Sequence, residues 1–526
     1  MIATKKFRQW IFIFFLLFIS SASFAQTSTL VSIGSDGKLV YATDAKGNKV
    51  PDFSYVGYHH GERDIPNMPV VKTISPVSGD NLSNIQSAID EVAAMKADAN
   101  GHKGALLLTA GTYNVNGTIN MKSGVVLRGE GKDASGTVLI ATKTSKHTFI
   151  VIYGNNGPSS VSSTRTKITD TYVPIGARTF TVKSDHSFVA GDRILLERKP
   201  NQAWIDELGM GNLSKTDPGD NDWTPHSYTI ESFRKIVAVN GNEITIDAPI
   251  VDHIEVEYAE AFITKYNWNG KIEESGVENM RLESIYASDD DEDHAWNAVA
   301  FENAENCWQK DINAHYFAYA CATANDNSYK ITIKDCENFD PKSKYRGGRR
   351  YSFNISKGQQ VLFENCKAHL GRHDFVCGSR TPGPNVFYNC HSQENHSTIG
   401  PHHRWSTGQL YDNVIVRGSR SDSDQLAQLA VENRLNSSSG QGWAGAQVMF
   451  WNCEAQNIIL QDPPMDHVNW AIGCIAESAI HGNGNDAIEP VGVIESDGTH
   501  IADIPSLYLA QLSDRLGPQV QTFNPK

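Results

Sequence analysis

Lys334-Asp335-Cys336, Glu364-Asn365-Cys366 and Tyr388-Asn389-Cys390 repeat one pattern, a polar residue and then a cysteine. The pattern returns in Glu305-Asn306-Cys307, Trp451-Asn452-Cys453 and Ile472-Gly473-Cys474, and Val414 fills the cysteine slot in Tyr411-Asp412-Asn413-Val414. From Cys307 to Cys474 the slots are spaced by 29, 30, 24, 24, 39 and 21 residues. Periods of this size mark a solenoid in which each repeat forms one coil. A small apolar residue repeated once per coil packs as an interior ladder, and buried cysteine behaves as a small hydrophobe. The long spacing of 39 predicts an extended loop around Arg434 to Gly445.

All eight cysteines lie between Cys307 and Cys474, and none has CxxC-type spacing. They are expected as free interior thiols, not as a disulfide framework or a metal site. Asn306, Asn365, Asn389, Asn413 and Asn452 precede the slots and are expected to stack and hydrogen-bond from coil to coil, a structural role.

Around this ladder lie three clusters that mix arginine with aromatic or histidine residues: Gly347-Gly348-Arg349-Arg350-Tyr351, Gly371-Arg372-His373-Asp374-Phe375 and Gly400-Pro401-His402-His403-Arg404-Trp405. Eight of the 18 histidines, at positions 294, 315, 369, 373, 391, 396, 402 and 403, fall between residues 291 and 404. Clusters at coil-like intervals are expected to line a groove on neighbouring coils, and a basic groove calls for an anionic ligand. The chain as a whole is acidic, with net charge −14, which argues against general binding to nucleic acid or anionic membranes. With 40% hydrophobic residues in 526, it has ample material for a core.

Towards the N-terminus, residues 1–25 read as a secretory signal: Lys5, Lys6 and Arg8, then an apolar run from Trp10 to Ile19, then Ser23-Phe24-Ala25. That run is too short for a comfortable membrane span. The mature protein is expected outside the cell or in the periplasm. Residues 26–100 form an arm containing Tyr58-His59-His60, followed by a helix in which Ile85, Ala88, Ile89 and Val92 recur at helical spacing. Asn81 or Ser83 is the expected N-cap, and about four turns are expected, ending near Gly101. Residues 101–159 carry the first strand-like coils. Residues 160–250 break the period with paired strand-like runs and the polar segment Asn201 to His226, predicting a small inserted β module. It could wall the groove or serve stability. Residues 251–500 form the main body, and 501–526, with Leu507 to Leu512, a C-terminal cap.

The opening helix, with Leu107-Leu108-Thr109-Ala110-Gly111-Thr112-Tyr113 and Val126-Leu127-Arg128-Gly129-Glu130-Gly131, resembles the start of the pectate-lyase-like superfamily. The three basic clusters, with Asp291-Glu292-Asp293-His294-Ala295-Trp296-Asn297, are similar to secreted bacterial β-helix proteins of that kind. The resemblance implies an all-β right-handed parallel β-helix that acts on carbohydrate, whose relatives include lyases, polygalacturonase-related hydrolases and tailspikes. It leaves the substrate and the choice between monomer and trimer open.

β-Elimination from a uronate needs a base for the α-proton, a cation for the developing enolate and an acid for the leaving oxygen. Arg372 and Arg404 are assigned to the carboxylate, His373 or His403 to the base and Tyr351 to the acid. Arg349, Arg350, His402, Trp405, His315 and His396 are further substrate-binding candidates. Hydrolysis needs two facing carboxylates, and Asp374 stands nearly alone among the basic clusters. Asp374 is expected to orient His373 or pair with Arg372. The mechanism requires no cofactor. Asp291 and Asp293 are candidate Ca²⁺ ligands, although the run lacks the alternating spacing of known calcium loops. The reading is a lyase on an acidic polysaccharide; the alternatives are a glycoside hydrolase and a glycan-binding β-helix without catalysis.

Overall fold

The computed structural model describes residues 26–213, 221–419, 428–482 and 491–517, so the expected signal segment lies outside the described residues. The chain winds as a right-handed parallel β-helix. One run of parallel pairs joins Thr332, Leu362, Val386, Leu410, Met449 and Trp470, each opposite the next. A second parallel sheet runs through Ile119–Asn120, His147–Tyr153, Ala295–Glu302, Ala320–Ala324, Phe353–Ile355, Phe375–Cys377 and Gly400–Pro401. Residues facing inward from both sheets make one continuous core, in which Phe353, Phe375, Phe363, Phe387 and Tyr411 stack along the axis.

The register places Cys336, Cys366, Cys390, Val414, Cys453 and Cys474 in one column, all with no exposed surface. Cys307 belongs elsewhere. Trp308 pairs with Thr332, so Cys307 lies opposite Ile331, and the residue opposite Cys336 is Ile312. The spacing of 29 therefore joined two different corners of the coil. The backbone explains the asparagines. Asn279, Asp311, Asp335, Asn365, Asn389, Asn413, Asn452 and Gly473 each precede the column and all have φ between 51° and 65°. This left-handed turn is tolerated by asparagine, aspartate and glycine. A second left-handed corner holds Glu274, Asn306, Lys330, Gln360, Gly408 and Gln447. Side-chain stacking is present as well: Asn389 donates to Asn365 at 2.7 Å, and Asn365 to Asp335 at 3.1 Å.

The helix Leu82–Ala93 covers the first coils with Ile85, Ala88, Ile89 and Val92 buried. It has three turns and stops well before Gly101, because Asp98 Oδ1 accepts the amides of Asn100 and His102 and closes a turn there. Asn81 is the N-cap by position, but its carboxamide oxygen accepts the Val77 amide, and Asp80 Oδ1 takes the Leu82 amide. Ser83 lies inside the helix.

Strands Thr179–Thr181, Arg193–Pro200, Ile230–Asn240, Glu243–Ile246 and Ala259–Asn267 form the antiparallel inserted module, with its own core around Ile194, Ile236, Ile244 and Ile263. The arm lies along the flank of the solenoid: Phe53 and Val56 pack with Leu362, Val386, Leu410 and Trp451. The helix Leu507–Leu516 packs there too. Ser506 and the Tyr508 amide donate to Asp412, in the middle of the body, so this helix covers a side of the solenoid instead of capping its end. No helix among the described residues is long and apolar enough to cross a membrane.

Candidate functional site

The turns that lead into Phe353–Ile355 and Phe375–Cys377 place Tyr351 and His373 on the outer side of the second sheet. His402 follows Gly400–Pro401 one coil further on. The three rings meet: Tyr351 lies 5.2 Å from His373 and 5.6 Å from His402, and the two imidazoles are 4.4 Å apart between centroids.

Hydrogen bonds fix the tautomers. His373 Nδ1 donates to the Thr398 carbonyl at 2.5 Å, so Nε2 carries the lone pair, and that atom is buried without a hydrogen-bond partner. Arg434 Nη1 donates to His402 Nδ1 at 2.7 Å and to the His402 carbonyl at 2.8 Å, so the neutral His402 ring holds its proton on Nε2. One histidine thus offers an acceptor and its neighbour a donor. Burial, then the charge of Arg372 and Arg434, keeps His373 neutral well below the ordinary histidine range. Burial does the same to His402, reinforced by His373 and Arg434. Tyr351 is pushed up by burial and drawn back by the adjacent Arg372.

His403 adjoins His402 at 5.0 Å, has an unpartnered Nδ1 and is held down at about 4 by burial and by Arg404, Arg434 and Arg380. Of the candidates, Tyr351, Arg372, His373, His402 and His403 are therefore brought together. Arg404 turns aside to the Ser439 hydroxyl at 2.7 Å, and its expected place is taken by Arg434.

The remaining candidates serve elsewhere. Trp405 has no exposed surface; it donates to Asp252 and packs edge-on against Trp204 at 4.8 Å, so it is core and offers no sugar platform. Arg350 is 1% exposed and braces its own loop, donating to the Ser343 carbonyl and lying 3.8 Å over the Tyr345 ring. Arg349 forms a two-pronged ion pair with Glu292, both contacts 2.8 Å. His315 stacks on Phe339 at 4.5 Å, and His396 packs on Tyr345 at 3.7 Å. Asp374 is the clearest correction. It points into the solenoid, where Ser352 and Ser392 each donate to it at 2.6 Å, and it touches neither His373 nor Arg372 by hydrogen bond. Asp291 accepts the Ala287 and Asp293 amides, so its carboxylate closes a turn. Asp291 and Asp293 are not among the grouped potential metal ligands of the described residues.

The sequence predicted the long loop but not its part in the site, and it gave no sign of a second feature. The long loop of the 39-residue coil supplies Arg434 and Glu432, whose side chains approach to 4.0 Å; the excess length was the available signal. The second is a row of aromatic rings across successive coils. Trp296 stacks with Tyr319 at 6.3 Å and 18°, and Tyr319 meets Tyr351 at 5.2 Å. Lys146 lies 3.4 Å over Trp296, and Arg349 lies 5.6 Å from it. Only register could align residues 296, 319 and 351. A shallow cavity lined by Lys344, Arg346, Gly347 and Arg349 adds further positive charge to the neighbouring loop. The inserted module borders the other end, where Arg380 donates to the Ser227 carbonyl and lies 5.7 Å from the Tyr228 ring.

No family model and no curated protein matches the sequence. Among solved structures, the tailspike protein gp49 from Pseudomonas phage LKA1 is 14% identical, with 76% of this chain and 66% of that chain covered and a TM-score of 0.43. The gp54 tailspike of Acinetobacter baumannii bacteriophage AP22, solved with a capsular saccharide, is 11% identical over 79% of this chain and 63% of that one, with a TM-score of 0.38. PfbA, a surface adhesin of Streptococcus pneumoniae, is 10% identical over 78% and 84%, with a TM-score of 0.37. This chain spans just under two thirds of the length of either tailspike. Likeness this loose transfers no function, and the resemblance to the pectate-lyase-like superfamily is not confirmed by it.

Proposed function

We propose that the protein is an exported carbohydrate-active β-helix that cleaves a uronate-containing polysaccharide by β-elimination. The observation that carries this reading is the aromatic row Trp296–Tyr319–Tyr351 running into the His373–His402 pair between Arg372 and Arg434. Rings one coil apart match the rise of a saccharide unit laid along the axis. Arg372 and Arg434 hold the uronate carboxylate and stabilise the charge that develops when the α-proton leaves. His373 Nε2 takes that proton, and the proton of His402 Nε2 or of the Tyr351 hydroxyl goes to the leaving oxygen. His403 is the second candidate base.

Hydrolysis is less favoured because, among the described residues, the ring cluster has no facing carboxylate pair: Asp374 is turned into the core and Glu432 lies beside Arg434. A second reading has its own support. His373 is 1% and His402 8% exposed, so a sugar reaches them only if the loops bearing Tyr345 or Arg434 shift; without that shift the row binds glycan and does not cut.

The test is a panel of uronate-containing polysaccharides followed by the ultraviolet absorbance of unsaturated products and by reducing ends. Both signals together support elimination. Reducing ends alone overturn it in favour of hydrolysis, and binding without either signal overturns catalysis.

A further inference from the structure

Between strands Glu243–Ile246 and Ala259–Asn267 of the inserted module, Asp252 and His253 meet His467 from a loop more than 200 residues later. One ligand atom from each lies within 4.8 Å of the others, and all three side chains are buried, 8%, 1% and 2% exposed. Asp252 Oδ1, His253 Nδ1 and His467 Nε2 have no hydrogen-bond partner. Unpaired atoms in the interior are costly, and Asp252 Oδ1 lies 3.8 Å from His467 Nδ1, so the arrangement favours a ligand shared among the three side chains.

The opposite atom of each side chain is already held or faced. Asp252 Oδ2 accepts from Trp405 Nε1 at 3.0 Å and lies 3.5 Å from Arg198 Nε. Gln447 Nε2 donates to His467 Nδ1 at 2.9 Å, so the neutral ring carries its proton on Nε2; a metal on Nε2 moves that proton to Nδ1 and turns the Gln447 carboxamide so that its unpartnered oxygen accepts it. His253 Nε2 faces Glu255 at 3.9 Å. A ligand atom left open while its partner atom is fixed by a neighbour is how metal-binding side chains are oriented. The rings of His253 and His467 lie 4.4 Å apart, tilted by 32°, and Trp405 and Tyr172 pack on their outer sides.

We propose that Asp252, His253 and His467 bind one divalent transition-metal ion, of the zinc type, which fastens the inserted module to the body of the solenoid. Two imidazoles and one carboxylate suit zinc and its neighbours better than calcium or magnesium, which prefer all-oxygen sites. A small cavity lined by Arg198, Ser232, Asp252 and Thr407 leaves space beside Asp252 for a water as fourth ligand. Arg198 opposes the added charge; Glu255 beside His253 and Asp466, whose charge also acts on it, offset this. The site is independent of the proposed elimination chemistry.

The test uses the full mature chain, stripped with a chelator and titrated with Co²⁺ and then Zn²⁺. One equivalent should bind, Co²⁺ should give visible d–d absorption of low-coordinate geometry, and the unfolding temperature should rise by several degrees. His467→Gln and His253→Gln should each lose the bound equivalent and the thermal shift. X-ray absorption of the metal-loaded wild type should resolve two imidazoles, a readout that stands even if a variant does not fold. No stoichiometric metal in the wild type, retention of the metal by folded variants, or a shell without imidazole would each overturn the proposal.

Discussion

Asp374 shows how one side chain can change its meaning between sequence and structure. Its neighbours in the chain are histidine and arginine, but the alternation of the coil turns it inward, onto Ser352 and Ser392. Burial raises its pKa to about 6 from 3.8, against the partial help of the two hydroxyls. A carboxyl raised on folding contributes fully below its unfolded value and loses that contribution as pH rises through the folded value. Asp374→Asn should therefore be more stable than wild type at pH 7 by about 2–3 kcal/mol, and the difference should vanish towards pH 4. Denaturant unfolding of the two proteins at several pH values measures this. His373 makes the opposite kind of prediction. If its Nε2 is the base, His373→Ala should lower kcat by about 10²–10⁴ with the fold intact, and Tyr351→Phe should show whether the phenol is the acid. Because His373 stays neutral well below the usual range, the acid limb of the kcat profile should lie below about pH 6.5. A limb at the ordinary histidine value would remove His373 from that role.

At the scale of elements, the row of rings and the long loop divide binding from chemistry. Trp296 lies two rings away from the histidines and is only partly buried. Trp296→Ala should raise KM for longer oligosaccharides by about tenfold and leave kcat nearly unchanged, consistent with about 1–2 kcal/mol of stacking. Arg434 differs, because it fixes the His402 tautomer as well as carrying charge. Arg434→Lys should restore only part of what Arg434→Ala loses: one ammonium can make both bonds that Arg434 Nη1 donates to the His402 ring and carbonyl, but it lacks the remaining guanidinium donors for the uronate carboxylate. Steady-state kinetics of both variants on one substrate decides this. The period of the coils was legible in Cys336, Cys366 and Cys390 because each is flanked by the same left-handed turn. The role of Arg434 was not, because a loop of irregular length carries no periodicity to place it.

At the scale of the whole molecule, apolar clusters besides the solenoid core hold the appendages in place. The arm and the helix Leu507–Leu516 share an apolar layer on the flank, and Trp204, Trp223 and Tyr228 of the inserted segment pack around Trp405 and Trp443. The described structure contains no disulfide; all eight cysteines are free and buried. Reductant should leave the unfolding temperature unchanged, and thiol reagents should label the protein only after denaturation, which mass spectrometry of native and unfolded samples would show. Labelling of the native protein would mean that the ladder opens.

The sequence by itself determined the coil, because a repeated small residue beside a left-handed turn is a local requirement that every coil must meet separately. It determined the opening helix, the inserted module and the concentration of histidine and arginine between residues 291 and 404. Register and facing were decided only by the tertiary structure. A shift of five residues moved Cys307 to another corner, and the side of the sheet on which a residue falls separated His373 from Asp374 and half-buried Trp296 from fully buried Trp405. Such distinctions depend on which coil lies above and below, and on what the inserted module covers, neither of which is written in the residues nearby.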